Sequence, residues 1–188
     1  MTFQAFNSDG QESPLIALNV SDGSDTAANG SVYMVHGGSN GDVWNYEMVR
    51  QLNIFMESID DFSDNHPAQD IDTWKGEIKF LQAFQYFLMV RAYGGVPIIT
   101  ETQSYDGTNL EELQVPRNTE KEVWEYIRTT IDEAIALLPE SMPSGRASKY
   151  AALALKSRAM LYAGSIAEYG NQAFQSEYNG LIGLPAAD

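Results

Sequence analysis

The chain has 188 residues, 44% of them hydrophobic, which suffices for the core of one domain and excludes a disordered tail. The chain has 11 Lys and Arg residues and 26 Asp and Glu residues, which gives a net charge of -15. Because this charge repels phosphate backbones, nucleic acid is not an expected partner. The chain has no cysteine, which excludes disulfides, thiolate metal sites and a cysteine nucleophile.

The N-terminal segment, residues 1–42, is predicted to be a loop-rich leader. Ser-Asp-Gly occurs twice in it, followed by Ala-Ala-Asn-Gly and Gly-Gly-Ser-Asn-Gly, and these residue types favour turns. Its first residues, Met-Thr-Phe-Gln-Ala-Phe, have neither the basic nor the apolar region of a secretory signal. No apolar run in the chain approaches the roughly 20 residues that span a bilayer. A targeting signal is therefore not expected within this sequence.

From residue 43 the hydrophobic pattern takes on a helical period. Apolar residues recur at spacings of three and four, which places them on one face of a first helix. They are Trp44, Met48, Leu52, Phe55 and Ile59. An acidic loop, "DDFSDNHPAQD", is expected to follow at residues 60–70.

A second helix is predicted at residues 75–93, and it is apolar on almost every side. From residue 77 onward its fully polar residues are only Glu77, Lys79, Gln82, Gln85 and Arg91. Other elements must therefore cover most of its circumference, and we expect it to be the central helix, with Phe84 and Leu88 in the core. Gly94 and Pro97 end it, because glycine tolerates a left-handed cap and proline cannot continue a helix.

Two further helices are predicted at residues 119–138 and 148–168. Thr119 and Glu122 have the spacing of a capping box, and Pro139 ends the third helix. Its apolar stripe is Val123, Ile127, Ile131, Ala134 and Leu138. The stripe of the fourth helix is Ala152, Leu155, Ala159, Tyr162 and Ile166. Arg117 and Arg146 each precede one of these helices, and we expect them to bond carbonyls or carboxylates of neighbouring elements.

The predicted fold class is all-α, with helical hairpins of tetratricopeptide-like type, a loop-rich leader and long inserted loops. Residues 94–118 are inserted between the two hairpins. The full tetratricopeptide consensus is absent, since Trp124 lacks the Leu-Gly and Tyr spacing of that motif. The predicted domain organisation is residues 1–42 as leader and 43–188 as one helical-repeat region that is incomplete at its C-terminus.

Three blocks of this sequence closely resemble one family. They are "GEIKFLQAFQYFLMVRAYGGVPIIT", "VPRNTEKEVWEYIRTTIDEAIALLP" and "GRASKYAALALKSRAMLYAG", which together span about residues 75–164. In their order and spacing they resemble the SusD-like (RagB/SusD) nutrient-binding outer-membrane proteins of Bacteroidetes. The preceding "VWNYEMVRQLNIFMESI" is similar to that family's preceding segment, with Asn53 at its usual asparagine.

The resemblance implies a mostly α-helical lipoprotein on the outer face of the outer membrane, held by an N-terminal lipid. It implies capture of glycans and their delivery to a TonB-dependent transporter of the SusC type, without catalysis and without a cofactor. The lipidated cysteine is missing, and family members continue much further after the last block. The chain therefore resembles an N-terminal portion of such a protein.

Sugar recognition needs a flat aromatic face for the C–H side of a pyranose, with amide and carboxylate groups for its hydroxyls. The segment "YMVHGGSNGDVW", residues 33–44, carries both types, and the resemblance implies that part of the glycan site comes from this region. The candidate glycan-binding residues are His36, Asn40, Asp42 and Trp44. Trp44 could instead pack in the core as the first residue of its stripe, and Trp74 and Tyr105 are alternative sugar platforms in other loops.

Two other functions are compatible with the sequence. A helical-repeat scaffold could bind another protein as an adaptor, and the acidic loop could supply the paired carboxylates of a glycoside hydrolase. The carboxylates of that loop are Asp60, Asp61, Asp64, Asp70 and Asp72. A solvated acidic loop is the simpler interpretation, because the run lacks the frame of a calcium-binding loop and His36 and His66 each stand alone. No catalytic residue, metal site or cofactor is predicted.

Overall fold

Helices joined by loops make up the chain in its computed structural model, which describes residues 43–109, 111, 113–170 and 172–185. These residues contain no β-strand, so the all-α prediction is confirmed. The predicted leader at residues 1–42 lies outside them. The elements are α1 (Tyr46–Ser58), a 3-10 helix (Ile59–Asn65), α2 (Ala68–Tyr93), α3 (Glu120–Leu137), α4 (Lys149–Tyr169) and α5 (Gln172–Glu177). The chain divides into two units, Met1–Tyr46 and Glu47–Asp188.

The acidic segment at residues 60–70 is not the loop that its composition predicts. Its first part continues from α1 as the 3-10 helix, and α2 begins at Ala68, well before the predicted start at residue 75. Pro67 occupies the cap position, and its carbonyl accepts hydrogen bonds from the backbone N–H groups of Asp70 and Ile71 at 2.9 and 3.2 Å. Of residues 68–74, which precede the predicted start, only Ile71 is buried, so this part of α2 shows no apolar stripe in the sequence.

Helix α2 is the central helix of the second unit, as predicted. It packs along α3 and against the 3-10 helix, and α3 in turn packs against α4. Its fully buried side chains include Tyr86, Phe87 and Met89, and the Phe87 ring meets Trp124 of the buried stripe of α3. That stripe is Val123, Trp124, Ile127, Ile131 and Ala134. No helix of the described residues is both long and apolar enough to cross a membrane.

The chain turns sharply at the end of α2, where two adjacent glycines stand. Gly94 has a φ of 69°, a positive value that a Cβ atom would disfavour. Gly95 has no room for a side chain, because a Cβ there would overlap the backbone oxygen of Asn118. Arg117 donates to the carbonyl oxygens of Tyr93 and Gly95 at 2.6 and 2.7 Å. The predicted structural role of this arginine is therefore confirmed.

The extended segment that follows is held by a buried polar network. Asn53, 1% exposed, donates to the carbonyl oxygen of Ile99 at 3.0 Å and accepts a hydrogen bond from Gln82 at 2.9 Å. The backbone N–H of Ile99 donates to the hydroxyl of Tyr86 at 2.8 Å. Because these buried groups bond one another, α1, α2 and the segment after α2 are fixed in one arrangement.

Helix α3 begins with the capping box that its sequence predicts, and α4 also begins with a side-chain cap. The N-H of Glu122 donates to the Thr119 hydroxyl, and the N–H of Thr119 donates to the Glu122 carboxylate, at 3.2 and 2.8 Å. This reciprocal pair is a capping box. At the start of α4 the Ser148 hydroxyl accepts a hydrogen bond from the N–H of Ala151.

Candidate functional site

The predicted sugar-binding loop is represented in the described residues only by its end. His36, Asn40 and Asp42 lie outside them, and Trp44 is half-buried two residues before α1 begins. The indole of Trp44 meets the ring of Tyr46 edge to face, with centroids 5.3 Å apart and planes at 63°. The assignment of a glycan site to His36, Asn40, Asp42 and Trp44 stays a prediction.

An open cleft of about 440 Å³ lies within the second unit, beside the first half of α2. We call it the Trp74 cleft. Its volume falls in the range of small-molecule sites, about 300–1,000 Å³. Four elements contribute to it: the end of α1, the 3-10 helix with the residues after it, α2, and the loop between α3 and α4. The lining residues are Phe55, Ile59, Phe62, His66, Trp74, Glu77, Ile78, Leu81 and Arg146.

Aromatic side chains form one side of the Trp74 cleft. Phe62, on the 3-10 helix, is 52% exposed. The imidazole of His66 packs edge to face on the half-buried indole of Trp74, with centroids 4.9 Å apart and planes at 78°. The cleft is thus lined by aromatic rings together with the aliphatic side chains of Ile59, Ile78 and Leu81.

An ion pair forms the polar part of the same cleft. Arg146 binds the Glu77 carboxylate in a two-pronged arrangement, with Nε donating to Oε1 at 2.8 Å and Nη2 donating to Oε2. This hydrogen bonding with Glu77 is the main reason that the pKa of Arg146 is raised, and the negative charges of Glu77 and Asp70 add to it. The expectation that Arg146 bonds a carboxylate of a neighbouring element is confirmed. Its pair with Glu77 also brings it to the cleft.

The surroundings of the Trp74 cleft are acidic. Asp60 is paired with Lys75 at 2.5 Å, whereas Asp61, Asp64 and Asp70 are exposed carboxylates on the same segment. Among the described residues, no group of three or more His, Asp or Glu side chains is arranged to hold a metal ion. These carboxylates give the cleft a negative surround, which disfavours anionic ligands.

A second cavity, of about 520 Å³, lies where α2 ends beside α4. The guanidinium of Arg91 sits over the rings of Phe87 and Tyr162, 5.2 and 5.1 Å from their centroids. The Glu120 carboxylate, 4% exposed, accepts hydrogen bonds from the Trp124 indole at 3.1 Å and from the Gly183 N–H at 2.5 Å. These groups have internal partners, so this cavity is better explained as part of the packing than as a ligand site.

The sequence predicts only part of the Trp74 cleft. It indicates Trp74 as an alternative sugar platform but places Phe62 in a solvated acidic loop. Phe62 was detectable as the one aromatic residue of that acidic run. Glu77 and Arg146 are separated by 69 residues, and no local pattern joins them. Only the return of the chain after α3 brings the arginine to the carboxylate.

Comparison with known proteins places the chain among glycan-associated relatives. Residues 13–161 match a SusD-like family that is described as starch-binding and associating with the outer membrane. A SusD-like protein of Formosa agariphila is 29% identical over 117 residues, which cover 62% of this chain and 22% of that protein.

Solved structures agree with the sequence comparison. A SusD-like protein from Bacteroides fragilis is 34% identical, with a TM-score of 0.59 over 75% of this chain and 27% of that one. A laminarin-binding SusD-like protein is 26% identical, with a TM-score of 0.59 over 71% of this chain and 28% of that one. The chain therefore spans less than a third of the length of each of these relatives.

Proposed function

The chain belongs to the SusD-like family, and from that membership we propose that it captures oligosaccharides or polysaccharides at the cell surface without cleaving them. The observation that carries this proposal is the family match over residues 13–161, in a family described as starch-binding. A relative with 26% identity and the same helical fold is named for its binding of laminarin. Both support a glycan as the ligand of this chain.

The proposed location is the outer membrane of a Gram-negative bacterium of the Bacteroidetes. The family is described as associating with the outer membrane, which supports this location. The proposal includes delivery of the captured glycan to a TonB-dependent transporter of the SusC type, as the resemblance implies. The non-catalytic part of the proposal is supported by the family description, which names binding.

The proposed primary site is the loop that ends at Trp44. An indole face can stack on the C–H side of a pyranose, and Asn40, Asp42 and His36 supply groups that bond hydroxyls. Affinity is expected to be modest. On a shallow, solvated surface each hydrogen bond to a sugar hydroxyl replaces a hydrogen bond to water, so it adds little binding free energy.

A glycan array followed by calorimetry on the full chain tests the function. We expect saturable binding of at least one neutral glycan, with laminarin as the first probe, and weaker binding by Trp44→Ala and Asn40→Ala. Asp60→Ala and Asp64→Ala are the matched controls and should bind as the parent does. Circular dichroism must show that Trp44→Ala still folds.

Three other outcomes are informative. Release of reducing sugar from a bound glycan would assign the protein to the hydrolases instead. An array without any sugar signal would contradict the proposed function and leave the adaptor interpretation. Glycan binding that survives both Trp44→Ala and Asn40→Ala would keep the function and exclude this loop as the main site.

A further inference from the structure

We propose that the Trp74 cleft is a second sugar subsite, which takes one neutral pyranose unit of a glycan chain. This inference rests on the glycan-binding function proposed above and adds to it a position and a ligand class. The segment from His36 to Trp44 precedes α1 in the sequence, whereas the cleft is built from the end of α1 onward. The two sites therefore use different residues and can be tested separately.

The aromatic side of the cleft matches the apolar face of a sugar ring. A pyranose carries axial C–H groups on one face, and such a face packs on the rings of Trp and Phe. Trp74 and Phe62 supply rings on two different elements, α2 and the 3-10 helix. Phe62 is 52% exposed, so a sugar ring packed on it would remove apolar surface from water.

The polar end of the cleft matches the hydroxyl edge of the same ring. The hydrogen bonds of Arg146 use Nε and Nη2, which leaves Nη1 for an acceptor from a ligand. Each carboxylate oxygen of Glu77 has capacity for a second hydrogen bond, so the pair offers both a donor and acceptors. A hydroxyl edge uses both kinds, whereas the apolar side chain of a protein partner would leave them unpaired. A sugar therefore satisfies more of this cleft than a hydrophobic peptide anchor does.

The negative charge around the Trp74 cleft favours neutral sugars over anionic ones. Asp61, Asp64 and Asp70 are exposed on the segment that contributes Phe62 and His66, and the whole chain carries a net charge of -15. The guanidinium of Arg146 is already neutralised by Glu77. A uronic acid or a sulfated sugar would therefore meet repulsion without a free cation of the cleft to offset it. A neutral hexose avoids this cost.

The test is a titration of the full chain with a neutral laminarin oligosaccharide, followed by calorimetry and tryptophan fluorescence. Phe62→Ala and Trp74→Ala are each expected to weaken binding at this site by about three- to tenfold, as the loss of one stacked ring does. Tyr169→Ala is the matched control, because Tyr169 is an aromatic residue that is 83% exposed on α4 and does not line the cleft. It should bind as the parent does.

Fluorescence identifies the site directly. The sequence has three tryptophans, and the Trp44→Phe variant keeps Trp74 and Trp124. Trp124 is 3% exposed, is bonded to Glu120 and does not line the Trp74 cleft, so a ligand in that cleft should change mainly the emission of Trp74. We expect saturable quenching or a shift of emission in Trp44→Phe, and its loss when Phe62→Ala is added. If Trp74→Ala fails to fold, Phe62→Ala still decides the question, because it removes an exposed ring.

Each result separates the two proposals. If the parent binds the oligosaccharide but Phe62→Ala and Trp74→Ala match it and the Trp74 emission stays constant, the cleft is not a subsite and the glycan function stands. If the parent binds no glycan, the proposed function fails and the subsite fails with it. Equal binding of an oligogalacturonide at this site would overturn the neutral-sugar assignment.

Discussion

At the scale of single residues, the apolar side chains of α2 differ in their exposure to solvent more than their similar hydrophobicity suggests. The sequence predicts Phe84 and Leu88 in the core, but Phe84 is 37% exposed and Leu88 is half-buried. The Phe84 ring instead stacks parallel to that of Phe80 with centroids 6.3 Å apart. Phe87, one turn further along, is fully buried and meets Trp124 edge to face at 6.0 Å. The prediction for Phe84 was wrong, because a helix that is apolar all round does not show which side faces its partners.

Two alanine substitutions on α2 should therefore have very different costs. Phe87→Ala removes a fully buried ring and leaves a cavity, so it should lower the free energy of unfolding by about 3 to 5 kcal/mol. Phe84→Ala, its matched control, should cost about 1 kcal/mol, because much of that ring is already in water. Urea unfolding monitored by circular dichroism measures both. Equal costs would show that Phe84 is covered in solution.

At the scale of elements, the helix ends are specified by short-range chemistry. The capping box of α3 satisfies backbone N–H groups that the helix leaves unpaired. The backbone N–H of Thr119 is the main cause of the lowered pKa of Glu122, and the hydroxyl of Thr119 and the amide of Asn118 contribute further. The charged form of this carboxylate is thus the one that the folded helix stabilises.

This shift predicts a pH dependence with a definite sign. Because the folded pKa of Glu122 lies below its usual value near 4.5, the carboxylate adds stability above that pH and loses it as pH falls through the folded value. Glu122→Gln keeps a side chain that can cap the helix but cannot titrate. The parent should be more stable than this variant near neutral pH, and the difference should vanish at low pH.

Thermal unfolding at a series of pH values measures that difference. Thr119→Ala provides the control, since it removes the hydroxyl partner and should cost about 1 kcal/mol by itself. In this background the difference between Glu122 and its glutamine variant should be smaller. A stability difference that does not change with pH would contradict the charged-cap account.

At the scale of the whole molecule, charge is the dominant feature. The net charge of -15 acts against compact states, because like charges are brought closer on folding. Surface ion pairs such as Lys79 with Glu133 at 2.8 Å and Lys156 with Asp132 at 2.5 Å act in the opposite direction. Exposed pairs of this kind each contribute only about 0 to 1 kcal/mol. Because the chain has 26 Asp and Glu residues but only 11 Lys and Arg residues, repulsion among the carboxylates should outweigh the attraction of the ion pairs.

Salt should therefore stabilise the protein. Raising the ionic strength from about 0.01 M to about 0.15 M shortens the screening length from about 30 Å to about 8 Å. We expect the unfolding midpoint to rise by about 2 to 4 °C, the shift that roughly 1 kcal/mol produces in a chain of this size. Calorimetry with sodium chloride and with choline chloride excludes specific sodium binding. A midpoint that falls with added salt would show that the ion pairs dominate.

The sequence by itself determined the features that depend on neighbours along the chain. The hydrophobic period predicted α1, α3 and α4, the capping box predicted the start of α3, and Gly94 with Pro97 predicted the end of α2. Three contiguous blocks were enough to indicate the family. Each of these signals lies within one helix or one turn, where contacts are set by residues three or four positions apart.

Only the tertiary structure decided which side chains meet. It joined Arg146 to Glu77 across 69 residues, and it placed an aromatic ring from an acidic segment beside Trp74. Helix periodicity gives a direction around one axis but not the position of a neighbouring element. The cleft is made by four elements together, so its residues could be assigned only after those elements had packed.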